Sequence, residues 1–200
     1  MIAKIKQLIK ANALKRRLKS LKIKKLNIGA GPDGSNKEYE DWISIDKEIL
    51  DITDERNWLS FVGMKSSIDN ILAEHVWEHL TEEQTELANQ NCFNFLKKEG
   101  RLRIAVPDGF FPNQEYIDQV KPGGSGIGSD DHKILYTHET MQRKLEKVGF
   151  KVEKVEYYDH EGKFHKKDWD EKQGFIKRSL EKDKRNKSGH IGYTSLIVDA

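Results

Sequence analysis

The chain has 200 residues, of which 36% are hydrophobic and 34% are charged, and this size and balance are typical of one water-soluble domain. No stretch approaches the roughly 20 apolar residues that a membrane-spanning helix requires, so we expect no transmembrane segment. The lone cysteine, Cys92, cannot form an intrachain disulfide, and lysines interrupt every apolar run near the N-terminus, so the sequence predicts a cytoplasmic protein rather than a secreted one.

Residues 1–24 are predicted to form a basic amphipathic helical arm. Residues 1–25 contain ten of the 35 Lys and Arg residues and no acidic residue, which leaves 25 basic and 33 acidic residues in the remainder. Apolar side chains recur at helical spacing, at Ile2, Ile5, Leu8, Ile9, Leu14, Leu18 and Leu21. Either this stripe packs on the protein's own domain, or the helix lies on an anionic membrane surface, the inner face of the cell membrane. RNA is the weaker partner, since the acidic remainder repels phosphates, and we find no strong nucleic-acid signal.

Residues 25–200 alternate short apolar runs with helical patterns, which predicts an α/β fold with a doubly wound, mainly parallel seven-stranded sheet. Strands are expected at residues 25–28, 42–45, 49–51, 68–73, 101–106, 151–157 and 194–198. Helices are expected at residues 82–96 and 139–148, the second capped by Thr137 at its start and Gly149 at its end. Residues 159–190 are highly charged and irregular, and we interpret them as an insertion, or lid, between the last two strands.

The first predicted strand leads into the sequence LNIGAGPDGSN, residues 26–36, which contains the GxGxxG pattern of dinucleotide-binding loops. A dinucleotide also needs a helix of about three turns after this loop, but the next strand follows too soon for one. Asp33 would in addition place a negative charge where a diphosphate should bind. Asp46, at the end of the second strand, is placed to accept two hydrogen bonds from a ribose diol. The loop therefore suits a ligand with adenosine but without phosphate, and S-adenosylmethionine (SAM) is the common one.

With these motifs the sequence resembles the class I SAM-dependent methyltransferases, particularly the small bacterial group known as predicted methyltransferases. The matching segments are LNIGAGP, WISID, SSIDNILAEHVWEHL, KKEGRLRIAVPDG and YTHETMQRKLEKVGFKV, which together cover most of residues 25–157. The resemblance implies SAM as the cofactor. It also implies a role for each matching residue: Gly29, Ala30 and Gly31 line the methionine end, Asp46 binds the ribose, Asp51 the adenine, and Glu74 and His75 border the methyl group. Asn27 departs from the pattern, since many members have an acidic residue there.

The segment HVWEH, residues 75–79, also matches HxxEH, an inverted zinc-protease motif in which the two histidines lie one helical turn apart. A buried strand is predicted to run straight into His75, which puts the first histidine at a strand end rather than in a helix. We therefore predict no metal site. Alternatively, Glu78 and His79 have no catalytic or metal-binding role and are hydrogen-bonded structural residues at the start of a helix.

Candidate catalytic residues are sought in the loops that follow the carboxyl ends of the parallel strands, where open α/β sheets bind their ligands. Methyl transfer to a hydroxyl needs positioning and a base if the acceptor is weakly acidic. We predict His132 as the base and Asp108 as the residue that orients the substrate, with His75 also at the catalytic centre. Alternatively, Asp130 and Asp131 only turn their loop and His132 packs on Tyr136.

The sequence is thus interpreted as a SAM-dependent methyltransferase that acts on a small polar acceptor, a hydroxyl of a sugar-like or phosphorylated metabolite. An NAD(P)-dependent oxidoreductase is an alternative, although the helix after the glycine loop and a catalytic tyrosine–lysine pair are both missing from the pattern. A non-catalytic module that binds SAM or a nucleoside is a further alternative.

Overall fold

The computed structural model describes residues 2–31, 37–186 and 191–200, which form one seven-stranded sheet with helices. The strands are β1 (Lys25–Ile28), β2 (Ile43–Ile45), β3 (Ile68–Glu74), β4 (Leu96–Pro107), β5 (Glu153–Tyr158), β6 (Phe164–Lys166) and β7 (Ser195–Asp199). The α-helices are α1 (Ile2–Ser20), α2 (Glu55–Val62), α3 (Glu82–Phe95), α4 (Gln114–Val120) and α5 (His138–Glu146). The predicted α/β class is confirmed.

The order of the strands in the sheet is β2-β1-β3-β4-β7-β5-β6. Strands β1 to β4 pair in parallel, whereas β7 is antiparallel to both of its neighbours, β4 and β5, and β6 is antiparallel to β5. Five strands therefore share one direction, and their carboxyl ends meet at one edge of the sheet. Because β7 runs the opposite way, the residues just before Ser195 reach that same edge.

Helices cover the first face of the sheet. Leu26, Ile71, Ile104 and Val198 point to this face, where they join buried residues of α2, α3 and α5 in the largest core cluster. Helix α3 begins with a capping box between Thr81 and Gln84, and the predicted cap of α5 at Thr137 is present. Alternation along the central strands thus supplies one complete apolar layer to the helices.

Irregular chain covers most of the second face, where residues 167–186, which we call the covering segment, lie. Its Ile176 is fully buried with Leu72, Ala105 and Ile197, the strand residues that alternate to this side. An apolar face can be buried under a segment without regular structure only if that segment's backbone groups find other partners. Buried charged side chains of the sheet provide several of those partners.

Arg103, on β4, is the central one of these buried charges. Its guanidinium pairs with Asp199 on β7, with Nε 2.6 Å from Oδ1 and Nη2 2.7 Å from Oδ2. Its Nη1 donates to the carbonyls of Asp170 at 3.1 Å and Gly174 at 2.7 Å, and Trp169 lies against the guanidinium face. The ion pair therefore joins two strands of the sheet to the covering segment.

Glu156, on β5, has the corresponding role toward the far end of the covering segment. It is fully buried, and its carboxylate accepts hydrogen bonds from the amide of Leu180 at 2.7 Å and the hydroxyl of Thr194 at 2.9 Å. The indole of Trp169 contacts its other oxygen at 3.3 Å. Buried carboxylates with several donors of this kind hold irregular backbone in one conformation.

Four local assignments differ from the sequence prediction, and one of them is helix α4, which was not predicted. Residues 49–51 are a turn rather than a strand, because the amides of Ile49 and Leu50 donate to the carbonyl of Asp46 instead of a neighbouring strand. The seventh strand is β6, which pairs with β5 inside the segment that was predicted as irregular. Helix α2 was not predicted, although Asp54 caps its start and Gly63, with φ of +93°, ends it.

Helix α1 combines the two alternatives that the sequence left open for the arm. Toward its C-terminal end Leu18 is buried in the main core, and the guanidinium of Arg17 donates to the carbonyl of Glu40 at 2.7 Å. Toward its start Ile5, Leu8 and Ile9 are exposed. Among the described residues, no helix is long and apolar enough to cross a bilayer. Contact of the exposed stripe with a membrane surface stays a prediction.

The buried ion pair leads to a prediction about stability. Replacing Arg103 with leucine leaves the Asp199 carboxylate buried with only its contact to Arg101, and we expect the free energy of unfolding to fall by about 3 kcal/mol. Chemical denaturation of parent and variant measures this loss. Arg143→Leu, an exposed change on α5, is the control, and the double variant Arg103→Leu, Asp199→Leu should recover part of the stability. A loss no larger than that of the control would contradict the role given to this pair.

Candidate functional site

The turn that follows β1 brings the backbone of two glycines to the carboxyl edge of the sheet. Gly29 has φ of +66° and Gly31 has φ of +51°. A Cβ added to Gly29 would lie 2.4 Å from a methyl carbon of Val76, so the site tolerates no side chain, whereas among the described residues, chain neighbours aside, no atom lies within 4 Å of the corresponding position at Gly31. The first glycine is therefore required by the fold, and the second leaves room for a ligand against the backbone. Asp33 and Gly34 of the predicted motif lie outside the described residues.

Asp46 connects the glycine turn to the end of β2. The amide of Gly31 donates to Asp46 Oδ1 at 2.9 Å, and the amide of Gly29 donates to the carbonyl of Ile45 at 2.8 Å. The carboxylate thus lies beside the turn, and within the described part of the chain no donor is bonded to its Oδ2. This is the position in which the sequence predicted a carboxylate that binds a ribose.

Two cavities open on either side of this turn, and both are lined by Gly29, His75 and His79. The first cavity, of about 290 Å³, is also lined by Asn27, Ala30, Gly31, Glu74, His132 and Arg178. The second cavity, of about 560 Å³, is also lined by Asp46, Asp51, Ile52 and Thr53. All seven residues that were predicted to bind the cofactor lie on one of the two cavities or on both.

Hydrogen bonds fix the carboxylates of two of those seven residues, Asp51 and Glu74. Asp51 accepts from the amide of Thr53 at 3.0 Å and from its hydroxyl at 2.7 Å, which fixes the carboxylate in the second cavity. Glu74, at the end of β3, accepts from the amides of Lys177 at 3.1 Å and Arg178 at 2.8 Å. The covering segment therefore reaches the wall of the first cavity and is held there by Glu74.

His75 follows directly after Glu74 in a left-handed backbone conformation, with φ of +56°. Its Nδ1 lies 2.9 Å from Glu78 Oε1, and its Nε2 lies 3.1 Å from the hydroxyl of Ser195 and 3.4 Å from that of Tyr193. Positive φ is rare for residues other than glycine and recurs at binding sites. The conformation turns the ring between the two cavities, which agrees with a place for His75 at the centre of the site.

Glu78, His79 and His132 form a second group at the edge of the first cavity, with ligand atoms that all lie within 4.8 Å of one another. Glu78 is buried, and burial raises the pKa of its carboxyl while the adjacent His75 and His79 lower it by more, so that its pKa lies below the usual range. The two imidazole rings meet edge to face, with 4.8 Å between their centroids. His132, the predicted base, therefore lines the first cavity, and its ring contacts that of His79.

The HxxEH pair does not form the site of an inverted zinc protease. His75 lies at the end of β3, as the sequence predicted, and its ring nitrogens face Glu78 and Ser195. Only residues Trp77–His79 form a short 3-10 turn. The histidine that approaches His79 is instead His132, from a loop more than fifty residues later in the sequence.

Asp108 does not have the position that was predicted for it. It is fully buried, and both carboxylate oxygens accept backbone amides, from Phe110 at 2.9 Å and from Tyr158 at 2.7 Å. It lines neither cavity. Burial raises the pKa of Asp108 to about 6. The carboxylate holds the loop after β4 to the end of β5, and we correct the assignment from substrate orientation to structure.

Four residues at the site were not among the predicted catalytic or cofactor-binding residues: Lys177, Arg178, Tyr193 and Ser195, although Arg178 belongs to the segment that was predicted as a lid. The first two come from the covering segment, whose position depends on Arg103 and Glu156. Tyr193 and Ser195 come from the start of β7, and they face His75 because this strand is antiparallel. The predicted strand at 194–198, read with its antiparallel direction, would have pointed to these last two.

The structure is similar to solved SAM-dependent methyltransferases. It matches one from Archaeoglobus fulgidus with a TM-score of 0.50 and 19% identity, over 96% of this chain and 92% of that one. It matches one from Thermotoga maritima with a TM-score of 0.50 and 15% identity, over 96% of this chain and 86% of that one. No family model and no curated protein matches the sequence. At these identities the similarity shows the fold: the chain has the fold of SAM-dependent methyltransferases, as the sequence resemblance implied.

The raised pKa of Asp108 leads to a prediction about pH. Because the folded-state pKa of about 6 lies above the ordinary value of 3.8, the folded protein binds this proton more tightly, and stability rises as pH falls through 6. Between pH 7.5 and pH 5 the gain from this group is about 1.4 kcal/mol. Denaturation of parent and Asp108→Asn at both pH values isolates it, since the variant lacks the titrating group. Parallel pH profiles for the two proteins would refute the assignment.

Proposed function

We propose that the protein is a SAM-dependent methyltransferase that acts on a small polar acceptor. The observation that carries the proposal is the joint placement of Gly31 and Asp46, whose hydrogen bond joins the backbone turn on the first cavity to a carboxylate on the second, and the two cavities share three lining residues. An adenosine ligand without phosphates fits this arrangement better than a dinucleotide. The fold, which the solved methyltransferases share, is consistent with the proposal.

The residues of the second cavity suit the adenosine half of SAM. Asp46 would accept hydrogen bonds from the ribose hydroxyls, and Asp51 with the neighbouring backbone would hold the adenine beside the apolar side chains of Leu50 and Ile52. The open space at Gly31 admits a ligand against the main chain. Cofactor binding would thus draw on residues from the ends of β1 and β2 and from the turn after β2.

The residues of the first cavity suit the methionine half and the acceptor. Gly29, Ala30 and Gly31 would line the methionine end, with Glu74 and His75 on the opposite wall. SAM, when bound, supplies a methyl group on a positively charged sulfur, which an acceptor oxygen attacks in line. The protein would position that oxygen and exclude water, and His132 borders the cavity where the sequence predicted a base.

The covering segment supports an anionic or sugar-like acceptor. Arg178 lines the first cavity, its side chain is partly exposed, and its amide is fixed on Glu74. A guanidinium in that position can hold a phosphate or carboxylate through two hydrogen bonds. We propose on this basis that the segment covers the acceptor as a lid and that a phosphorylated metabolite is a better substrate than a lipid or a nucleic acid.

Cofactor binding gives the first test of the proposal. We expect Asp46→Ala to weaken SAM binding by about 1.5 to 3 kcal/mol, roughly tenfold to 100-fold, because charge-assisted hydrogen bonds to the ribose are lost. Isothermal titration calorimetry with SAM measures the change, and Asp46→Asn, which retains an acceptor for the amide of Gly31, separates lost charge from a disturbed turn. Asp118→Ala, on the exposed surface of α4, is the control. Binding of NAD in place of SAM would favour the oxidoreductase alternative. If neither cofactor binds, both the methyltransferase and the oxidoreductase hypotheses are wrong.

Acceptor choice gives a second test. With SAM present, release of S-adenosylhomocysteine is measured for a panel of sugar phosphates and for the same sugars without phosphate. We expect Arg178→Ala to raise KM for the preferred phosphorylated acceptor about tenfold or more, with SAM affinity unchanged, because its bidentate contact is lost. Arg143→Ala, exposed on α5, is the matched control. Turnover of the unphosphorylated sugars alone, or an unchanged KM in Arg178→Ala, would exclude the anionic acceptor.

A further inference from the structure

The edge of the first cavity holds a buried carboxylate without hydrogen-bond partners. Glu78 is 1% exposed, and neither of its carboxylate oxygens has a hydrogen-bond partner among the described residues. His75 Nδ1 lies 2.9 Å from Oε1, but not in the alignment of a hydrogen bond. Buried carboxylates are normally satisfied by donors or by a cation, because leaving such a charge unpaired is costly. Glu78 lines the first cavity, so a ligand can reach it.

Two imidazole rings face the same point. A buried nitrogen of His79, Nδ1, also lacks a hydrogen-bond partner in the described part of the chain, and Asp131 Oδ2 lies 3.5 Å from it. Ligand atoms of Glu78, His79 and His132 lie within 4.8 Å of one another. Ligands on a metal at about 2.1 Å lie at most roughly 4.2 Å apart, so the three groups have to move closer together to hold an ion, and the two half-buried rings leave room for such a movement.

His132 is already oriented for this purpose by its second nitrogen. Its Nδ1 lies 2.6 Å from the carbonyl of Val120, which can only accept a hydrogen bond, so Nδ1 carries the proton and Nε2 keeps its lone pair. Histidines that bind metals typically donate their other ring N–H to a carbonyl or a carboxylate, which fixes the tautomer and the ring. The carbonyl of Val120 provides this support from the C-terminal end of α4.

We propose that Glu78, His79 and His132 bind a divalent transition-metal ion of the zinc class at the edge of the first cavity. Two imidazoles with one carboxylate suit such ions better than Mg²⁺ or Ca²⁺, which prefer sets made of oxygen atoms. The cavity leaves the remaining coordination positions open. This proposal departs from the expectation of no metal, which considered His75 with His79 rather than His132.

The site gives the ion a role in the reaction, and that role, unlike the site itself, rests on the proposed function. An acceptor hydroxyl in an open position next to the ion loses its proton more readily, and the proton leaves to water in the cleft. The acceptor oxygen then forms a bond to the methyl carbon, and the carbon–sulfur bond breaks with its electron pair going to sulfur. His132 would act as a ligand here rather than take the proton itself.

The test is a titration of the full chain, free of metal, with Zn²⁺ alone and in the absence of SAM. We expect one equivalent to bind with a Kd in the micromolar range or below, with Mg²⁺ failing to compete. His132→Ala and Glu78→Gln should each weaken binding at least 100-fold. Co²⁺, added in place of Zn²⁺, should give a visible absorption spectrum that is lost in both variants, and circular dichroism verifies that they remain folded.

A second histidine–carboxylate pair outside the cleft provides the matched control. His165 Nε2 lies 2.6 Å from Asp159 Oδ2, and His165→Ala should bind Zn²⁺ like the parent. Absence of saturable Zn²⁺ binding, unchanged affinity in His132→Ala, or an equal loss in His165→Ala would each overturn the site. SAM titrations of the parent protein are read separately: absence of Zn²⁺ binding with normal SAM binding rejects only the metal site, and Zn²⁺ binding without SAM binding rejects only the methyltransferase.

Discussion

The buried pair of Arg103 and Asp199 is the interaction on which the rest of the second face depends. A guanidinium has five N–H donors in a fixed plane, and here they are divided between a carboxylate on the neighbouring strand and two carbonyls of the covering segment. Because the charge is neutralised within the sheet, the remaining donors can bind carbonyls of the covering segment on either side of the short 3-10 turn Glu171–Gln173. The Arg103 side chain thus supplies hydrogen bonds to backbone carbonyls that would be satisfied within the segment itself if it were an α-helix.

The ion pair also fixes the wall of the first cavity, because a short length of the covering segment connects Arg103 to Glu74. The carbonyl of Gly174 accepts a hydrogen bond from Arg103, and Ile176 is buried against the sheet. The amides of the next two residues, Lys177 and Arg178, donate to the carboxylate of Glu74. Residues 174–178 are therefore bonded to Arg103 at one end and to Glu74 at the other, which leaves their backbone little freedom to move. The wall of the first cavity is therefore a product of packing on the sheet, although it belongs to a segment without regular structure.

Much of the fold could be predicted from the sequence, because the elements that matched have strong local patterns. The strands β1, β3 and β7 are short apolar runs, and α5 has a threonine cap at one end and a glycine at the other. The turn at 49–51 was mistaken for a strand because Ile49 and Leu50 are apolar for reasons of core packing, with backbone bonds that are local. Arg103 could not be recognised as buried, since a charged residue in a strand ordinarily marks a solvent-facing position and its partner lies almost a hundred residues away.

The candidate site divides in the same way. Residues in contiguous motifs, such as Gly31, Asp46 and His75, were identified because each follows a predicted strand at its carboxyl end. Tyr193 beside His75 and the contact of His79 with His132 were not, because they depend on how distant parts of the chain meet. Asp108 follows a strand as the others do, and only its two backbone partners show that it serves the loop instead.

The order of the strands sets a sequence of events for the growing polypeptide. Strand β7 lies between β4 and β5, yet it is made after both of them and after β6. During synthesis on the ribosome, the hairpin of β5 and β6 therefore has no place in the sheet, and one edge of β4 stays unpaired until β7 has emerged. The helical face can form early around β1, β3 and β4, whereas Arg103 acquires its counter-ion only with the last strand. The nascent chain would thus remain open along one edge, and exposed to aggregation or to chaperones, until β7 has been made.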